Sequence, residues 1–391
     1  MNQLVVIGGG LAGAKFAERL REKEFNGAIS VIAAEPYEPY ERPPLSKKLL
    51  LGEPVDPTVL PSSWWLENKV ELLTHTSATK IDRPNQQVEL TNGQSVSYDL
   101  LVLATGARAR ILNLPGADRA RSLRTVDDSR SLAASLTAGG RLVIVGAGWI
   151  GLEVAAAART RGIEVTVLEA AKLPLANVLG PTLAQYLADL HQSHGVDLRC
   201  AVKVEEVLLG ESGPTGVRTA DQEFHADLVL IAAGATPEIQ LATDAGLRTE
   251  NGVEVDEKFF TSDPKIMAIG DVANAWHVGM NARLRVEHWD NAIRQGQAAA
   301  EVVMGNDVVY DWLPYFFTDQ FEFSMEYVGR SAPSDRVEIR GDLAANEFIA
   351  YWFGSDDRLT AAMNVGIWGV TDRLRELVGQ QLAPAALDDI R

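Results

Sequence analysis

One cysteine, Cys200, is all the thiol chemistry that this 391-residue chain carries. A lone thiol forms no internal disulfide, no CxxC redox pair and no four-thiolate iron–sulfur or zinc site, so any redox chemistry must come from a bound cofactor. Positive charge is also scarce. The 36 Lys and Arg residues stand against 53 Asp and Glu, a net charge of −17, which argues against non-specific nucleic-acid binding and against adhesion to an anionic membrane. Long apolar runs are missing too: the first, residues 4–7, leads straight into three glycines, whereas about 18 apolar residues are needed to span a bilayer. No targeting segment is evident, and a cytoplasmic protein is expected. There is no metal-ligand cluster in the sequence. Of six histidines only His191 and His194 lie close together, at helical spacing, and they read as solvated residues on a polar helix face.

What is present is an ordinary globular balance, 46% apolar and 23% charged residues, in a chain long enough for two to four domains at roughly 100–200 residues each. Strand-like runs alternate with helical stretches through roughly the first 310 residues, the pattern of parallel α/β sheets. One signature occurs twice. Leu4-Val5-Val6-Ile7 precedes Gly8-x-Gly10-x-x-Gly13 and a helix-like stretch at 14–24; residues 141–145 precede Gly146-x-Gly148-x-x-Gly151 and a helix-like stretch at 152–161. Such a loop turns the chain tightly from strand to helix, lets the backbone approach a pyrophosphate and aims a helix N-terminus at the phosphates. Both units also carry the acidic residue that follows the second strand and serves ribose hydroxyls, Glu35 after residues 29–34 and Glu169 after residues 164–168. Two complete units imply two dinucleotide sites. A carboxylate at Glu169 accepts from free ribose hydroxyls and repels a 2′-phosphate, favouring NADH over NADPH. After residue 311 the texture changes to aromatic strands at 315–317, 321–323 and 348–353 and a last helix at 372–378, an α+β appendage.

These loops, with Glu41-Arg42-Pro43-Pro44-Leu45-Ser46-Lys47, the run ending Ala104-Thr105-Gly106, Leu123-Arg124-Thr125, Ala268-Ile269-Gly270-Asp271-Val272-Ala273 and residues 285–292, resemble a known family. It is the FAD-dependent pyridine-nucleotide oxidoreductases, and within them the NADH:ferredoxin and rubredoxin reductases that serve bacterial oxygenases. The likeness runs along nearly the whole chain. It implies two Rossmann-like α/β domains, one for FAD and one for NAD, plus a smaller α+β C-terminal domain. Residues 1–110 with 235–311 would bind FAD, 111–234 NAD, and 312–391 would form the acceptor-side domain. By the same resemblance FAD would meet Gly8, Gly10, Leu11, Ala12 and Gly13, then Glu35, Arg42, Lys47 and Ala78. Ala104, Thr105, Gly106, Arg124, Gly270 and Asp271, with Glu287, His288, Trp289 and Phe316, complete that set. NAD would meet Gly146, Gly148, Trp149, Ile150, Gly151, Glu153, Glu169 and Gly234. Lys47 and Glu153 are the catalytic candidates: in the family this lysine lies near the flavin N5 edge and pairs with this glutamate, so that a cation stabilises negative charge on the reduced flavin.

The single cysteine then narrows the activity. Glutathione-reductase-like relatives need a cysteine pair beside the flavin, and related NADH peroxidases need one shortly after the first βα unit, where residues 36–42 hold none. Cys200 reads as buried strand packing. Electrons should therefore leave for an external iron–sulfur ferredoxin or rubredoxin, feeding an oxygenase only indirectly, from a protein that is a monomer or homodimer. An NADH:quinone or dye reductase and an NADH-gated flavoprotein that acts through binding stay open. The tail 379–391 offers no amphipathic anchor for a membrane. Arg108, Arg110, Arg119, Arg121, Arg124, Arg130, Arg283 and Arg285 are the candidates for docking an acidic carrier.

Overall fold

Five parallel strands centre the first of two units into which the chain divides in a computed structural model, described for residues 1–382 and for Leu387. That unit gathers Met1–Glu41, Asp56–Arg108 and Thr236–Trp312, and the second gathers Arg42–Val55, Ala109–Ala235 and Leu313–Arg391.

In the first unit the sheet order is Ile266–Ala268, Leu100–Leu103, Gln3–Ile7, Ala28–Ile32 and Val70–Leu73, every neighbour parallel. The strands are Val-, Ile- and Leu-rich without alternation because both faces are covered and both are buried. Chain order reverses between Gln3–Ile7 and Leu100–Leu103, so the carboxyl end of Gln3–Ile7, where Gly8 stands, is the topological switch point at which open α/β sheets bind ligands.

The second unit contains a four-stranded parallel sheet in the order Asp197–Arg199, Glu164–Leu168, Arg141–Val145, Leu228–Ile231. It also contains a five-stranded antiparallel sheet in the order Tyr315–Gln320, Phe323–Gly329, Leu359–Val365, Glu347–Phe353, Arg336–Asp342. The aromatic strand Glu347–Phe353 is buried on both faces, and its period of two sorts the side chains. Phe348, Ala350 and Trp352 face the cluster that holds Leu179, Leu183, Leu187 and Leu190 of the helix Ala176–Ser193, while Ile349, Tyr351 and Phe353 join Val370 and Leu374.

Three local readings change. The helices after the glycine loops run Leu11–Glu22 and Trp149–Thr160, starting directly at the caps Gly10 and Gly148 rather than at residues 14 and 152. The third glycine of each loop thus lies inside the first turn, where a Cβ would meet the carbonyl oxygen of Gly8 at 2.4 Å or of Gly146 at 2.2 Å. Residues 321–323 are not a strand of their own: Phe321 and Glu322 make the turn between two paired strands, the second opening at Phe323, with Phe321 at φ +54°, a conformation costing an L-residue about 1–2 kcal/mol. Cys200 follows the strand Asp197–Arg199 and is partly exposed rather than buried within it.

Close backbone approach recurs in the first unit where the helix Trp289–Val303 meets the helix Leu11–Glu22. A Cβ on Gly296 would lie 2.6 Å from the Ala12 carbonyl oxygen and 3.1 Å from the Phe16 nitrogen. Both are backbone atoms, and neither can swing away. Gly296→Ala should destabilise the protein by about 1–3 kcal/mol, read as a lower urea midpoint; an unchanged midpoint would refute this packing.

Candidate functional site

The first unit builds a cradle around its glycine loop. Gly8, at φ +128°, is pressed against the adjoining strand exit, since a Cβ there would stand 2.0 Å from the Ala104 carbonyl oxygen. Gly10, by contrast, faces open space, with nothing within 4 Å of a Cβ. That combination fits a pyrophosphate: two glycines fix the turn, and the middle one leaves room for phosphate at a helix N-terminus that carries no acidic residue in its first turn. The turn Gly270–Val272 comes to the same place, a Cβ on Gly270 falling 2.9 Å from the Ala12 methyl, so Asp271 stands beside the loop. Gln295, fully buried, accepts from the Gly270 N–H at 2.8 Å with its Oε1, while its Nε2 has no partner among the described residues.

Other expected flavin residues of this unit occupy definite places. Glu35 accepts from the Tyr40 hydroxyl. Thr105 donates to the Glu238 carbonyl at 2.8 Å and Gly106 takes φ +72°. His288 caps the helix Trp289–Val303, Trp289 donates from its indole to Glu41 at 3.1 Å, and Glu287 pairs with Arg285. Ala78 opens the strand Ala78–Asp82, in a separate three-stranded sheet.

The second unit repeats the cradle. Gly146, at φ +108°, abuts the strand exit at Ala232, its Cβ position 2.5 Å from that carbonyl oxygen, and Gly148 again faces open space. Gly234 takes φ +89° just beyond the same strand, and Ile150 is exposed at the start of the helix. Glu169 accepts from the Ala147 N–H at 2.7 Å and the Ala171 N–H at 2.8 Å. These bonds fix the carboxylate beside the glycine loop, and a carboxylate has further lone pairs for ribose hydroxyls.

Arg42, Lys47, Arg124 and Phe316 all belong to the second unit. The short helical turn Pro43–Ser46 is held by Ser129, which donates to the Leu45 carbonyl at 2.7 Å, and by burial of Leu50. Arg42 donates to the Arg124 carbonyl, just before the helix Val126–Ser135 and its Thr125–Asp128 capping box. From this turn Lys47 Nζ reaches Glu153 Oε1 at 2.8 Å, with side-chain exposures of 18% and 4%. Charges so far from water persist only where further hydrogen bonds satisfy them. Thr318 supplies one, donating to Glu153 Oε1 at 2.6 Å, and Ser46 donates to Oε2. Glu153 and Trp149 lie one turn apart on the helix Trp149–Thr160, and Phe316 and Thr318 share a face of the strand Tyr315–Gln320. Those two faces meet, with the rings of Trp149 and Phe316 5.0 Å apart.

Ser46, Thr318 and Gln320 were missing from the sequence-derived set, although Ser46 lies inside the stretch 41–47 and the strand that holds Phe316 runs on through Thr318 and Gln320. The period of two along residues 316, 318 and 320 was the available signal. His191 overturns its reading as solvated: it is fully buried, bonded through Nε2 to Gln320 Oε1 at 2.9 Å, because the helix Ala176–Ser193 lays its Leu187 side against the antiparallel sheet. His194 is partly exposed and lies 3.0 Å from Glu322. Several docking candidates have acidic neighbours, Arg108 with Glu238, Arg130 with Asp127, Arg283 with Glu254 and Arg285 with Glu287, while Arg110, Arg119 and Arg121 are exposed. The reading of the tail 379–391 falls largely outside the described residues. Among the described residues no helix is long and apolar enough to cross a membrane.

Two Rossmann-type cradles, one of them in the unit that buries a lysine–glutamate pair, define a two-dinucleotide oxidoreductase scaffold. Residues 2–296 match the pyridine nucleotide-disulphide oxidoreductase family and residues 315–390 the reductase C-terminal domain. The chain is 37% identical to rhodocoxin reductase of Rhodococcus erythropolis, over 90% of this chain and 83% of that one. It is 35% identical to putidaredoxin reductase of Pseudomonas putida, over 91% and 86%. It is 34% identical to the ferredoxin–NAD(+) reductase component of the anthranilate 1,2-dioxygenase system of Burkholderia cepacia, over 97% and 95%. Among solved structures, the covalent putidaredoxin reductase–putidaredoxin complex aligns at a TM-score of 0.94 with 33% identity, covering 99% of this chain and 96% of that one. The chain belongs to the pyridine nucleotide-disulphide oxidoreductase family, with the reductase-type C-terminal domain. Its cofactors are FAD and NADH, and the two open glycine loops fit two such dinucleotides.

A carboxylate held in this place would repel the 2′-phosphate of NADPH. The kcat/KM for NADH should exceed that for NADPH by at least about tenfold; equal use of the two would remove the discriminating role of Glu169.

Proposed function

We propose that the chain is a flavoprotein reductase that takes hydride from NADH onto FAD and passes the electrons singly to an iron–sulfur ferredoxin or a rubredoxin. That carrier would serve an oxygenase such as a cytochrome P450 or a ring-hydroxylating dioxygenase. The observation that carries the reading is the pair of a largely buried Lys47 and a buried Glu153, in a chain with two nucleotide cradles and one thiol. Its likeness over most of its length to reductases named for redoxins and oxygenase systems supports the choice of acceptor. In this reading residues 1–110 with 235–311 bind FAD, 111–234 bind NADH and 312–391 form the acceptor-side domain, in a cytoplasmic protein.

Bound FAD would supply a centre that takes two electrons together and releases them one at a time. The protein supplies charge and orientation. Lys47 contributes the fixed cation that favours a reduced, negatively charged flavin, and Glu153 holds its ammonium in place. Ser46 and Thr318 in turn fix the carboxylate, so the pair does not reorganise as charge develops. Glu169 selects and orients the nicotinamide cofactor through its ribose.

Lys47→Ala, with FAD content unchanged, should slow anaerobic reduction of the flavin by NADH at least about tenfold in stopped flow. Unchanged reduction would remove that role. After reduction, the enzyme should discharge faster to a ferredoxin than to a quinone or oxygen. A faster discharge to quinone would favour a quinone reductase, and a long-lived reduced complex that no acceptor discharges would favour a binding role. The exposed Arg110, Arg119 and Arg121 give an acidic carrier its attraction against the net negative charge. Its reduction should therefore slow as ionic strength rises from about 0.05 M to about 0.5 M; a flat response would exclude steering.

A further inference from the structure

The Lys47–Glu153 pair is the end of a longer buried chain, all of it within the second unit. Thr318 donates to Glu153 Oε1 at 2.6 Å, Gln320 Nε2 donates to Thr318 Oγ1 at 3.1 Å, and His191 Nε2 lies 2.9 Å from Gln320 Oε1. Glu153, Thr318, Gln320 and His191 are all buried. A carboxylate in an ion pair only accepts, and that fixes the sense of every bond behind it. The Thr318 hydroxyl must donate to Glu153, so its oxygen is left to accept from the Gln320 amide nitrogen. The Gln320 carbonyl oxygen then needs a donor, which can only be His191 Nε2–H.

The other ring nitrogen agrees. His191 Nδ1 is buried with no partner among the described residues. Protonated, it would be a donor without an acceptor; unprotonated, it leaves only a lone pair unmet, the cheaper of the two. Burial, with His194 adding a smaller push in the same direction, lowers the pKa of His191 and favours the neutral ring, although the bond to Gln320 opposes them. The turn between the strands makes room for this ring at the expense of its own backbone. Phe321 stands in the left-handed region, edge-on to His191 at 5.2 Å between centroids and stacked on His194 at 3.9 Å. Such strain persists where surrounding contacts impose it.

We infer that His191 is a positioning residue for the reductive half-reaction, holding the Lys47–Glu153 pair in one orientation through Gln320 and Thr318. Its Nε2–H locks the amide of Gln320 against flipping. A flipped amide would present its nitrogen to His191 and its oxygen to Thr318, drawing the hydroxyl away from Glu153. The carboxylate would lose one of its hydrogen bonds, and the lysine would be held less tightly. The inference rests on the role proposed for that pair, and it adds a residue of a distant helix to it.

The test uses the FAD-loaded protein and two readouts. His191→Leu removes the donor, whereas His191→Gln keeps an N–H at a similar reach. His191→Leu should slow flavin reduction by NADH about tenfold, the scale of one net hydrogen bond, and His191→Gln should recover most of the rate. Thr318→Val should slow it comparably, and the double variant His191→Leu with Thr318→Val should be no slower than the worse single one, because both break the same chain. Wild-type speed in His191→Leu, equal losses in Leu and Gln, or multiplying losses would overturn the proposal.

The second readout needs neither NADH nor an acceptor. Nitrogen NMR of protein labelled in its histidine rings should show, beside the Nε2–H signal of His277, which donates to the Trp312 carbonyl, a second that is absent in His191→Gln and shifts in Thr318→Val. A signal indifferent to Thr318→Val would overturn the chain, and this measurement decides even where His191→Leu fails to fold. If Lys47→Ala leaves reduction unchanged while the signal shifts, the function assigned to the pair fails and the chain stands.

Discussion

A carboxylate buried among aromatic and aliphatic side chains has to be met on all its lone pairs or it destabilises the fold that contains it. Glu153 is met by groups from two segments far from it in sequence: Ser46 and Lys47 from a proline-rigid turn, and Thr318 from an antiparallel strand. Satisfying it therefore draws the Pro43–Ser46 turn, the helix after the second glycine loop and the first strand of the C-terminal sheet to one point. The same requirement explains why the segment Arg42–Val55 clusters with the second unit despite lying early in the chain. Removing any one of these donors leaves a buried acceptor, so the arrangement holds as a set.

In each glycine loop the backbone does what side chains cannot. In each cradle the outer glycines press on carbonyl oxygens, while the middle glycine opens on to empty space. Close approach and open space are needed within a few residues of each other, and no other residue type satisfies both. The sheet edges decide where this happens, because both loops stand at a strand end next to another strand exit, Ala104 in one unit and Ala232 in the other.

Much of this was legible in the sequence, and the rest was not for identifiable reasons. The two parallel sheets could be read because buried strands are uniformly apolar and end in glycine loops, and Glu35 and Glu169 each follow the next strand. Helix starts were placed three residues late because the third glycine looks like loop and is in fact helix, admitted there by the contact it makes. Lys47 and Glu153 are 106 residues apart, and no spacing rule joins them; only the resemblance did. His191 was misread because local pattern shows the polar Gln192 and Ser193 beside it. Its burial depends on which face of the helix the C-terminal sheet covers, a tertiary choice, although Leu183, Leu187 and Leu190 mark that face.

The lone cysteine also changes meaning once its surroundings are known. Its count alone barred internal disulfide chemistry, but a single thiolate can still act as a nucleophile or an electron relay. Cys200 is partly buried, and burial, with the nearby Glu169 charge adding to it, raises its pKa. A raised value keeps the thiol protonated at neutral pH, the unreactive form. Burial does most of this, and Glu169, the carboxylate proposed to read the ribose, adds to it by disfavouring a second negative charge nearby. With that route closed by electrostatics as well as by number, electrons accepted from NADH have no protein-borne thiol to pass through, and an external carrier is the exit that remains.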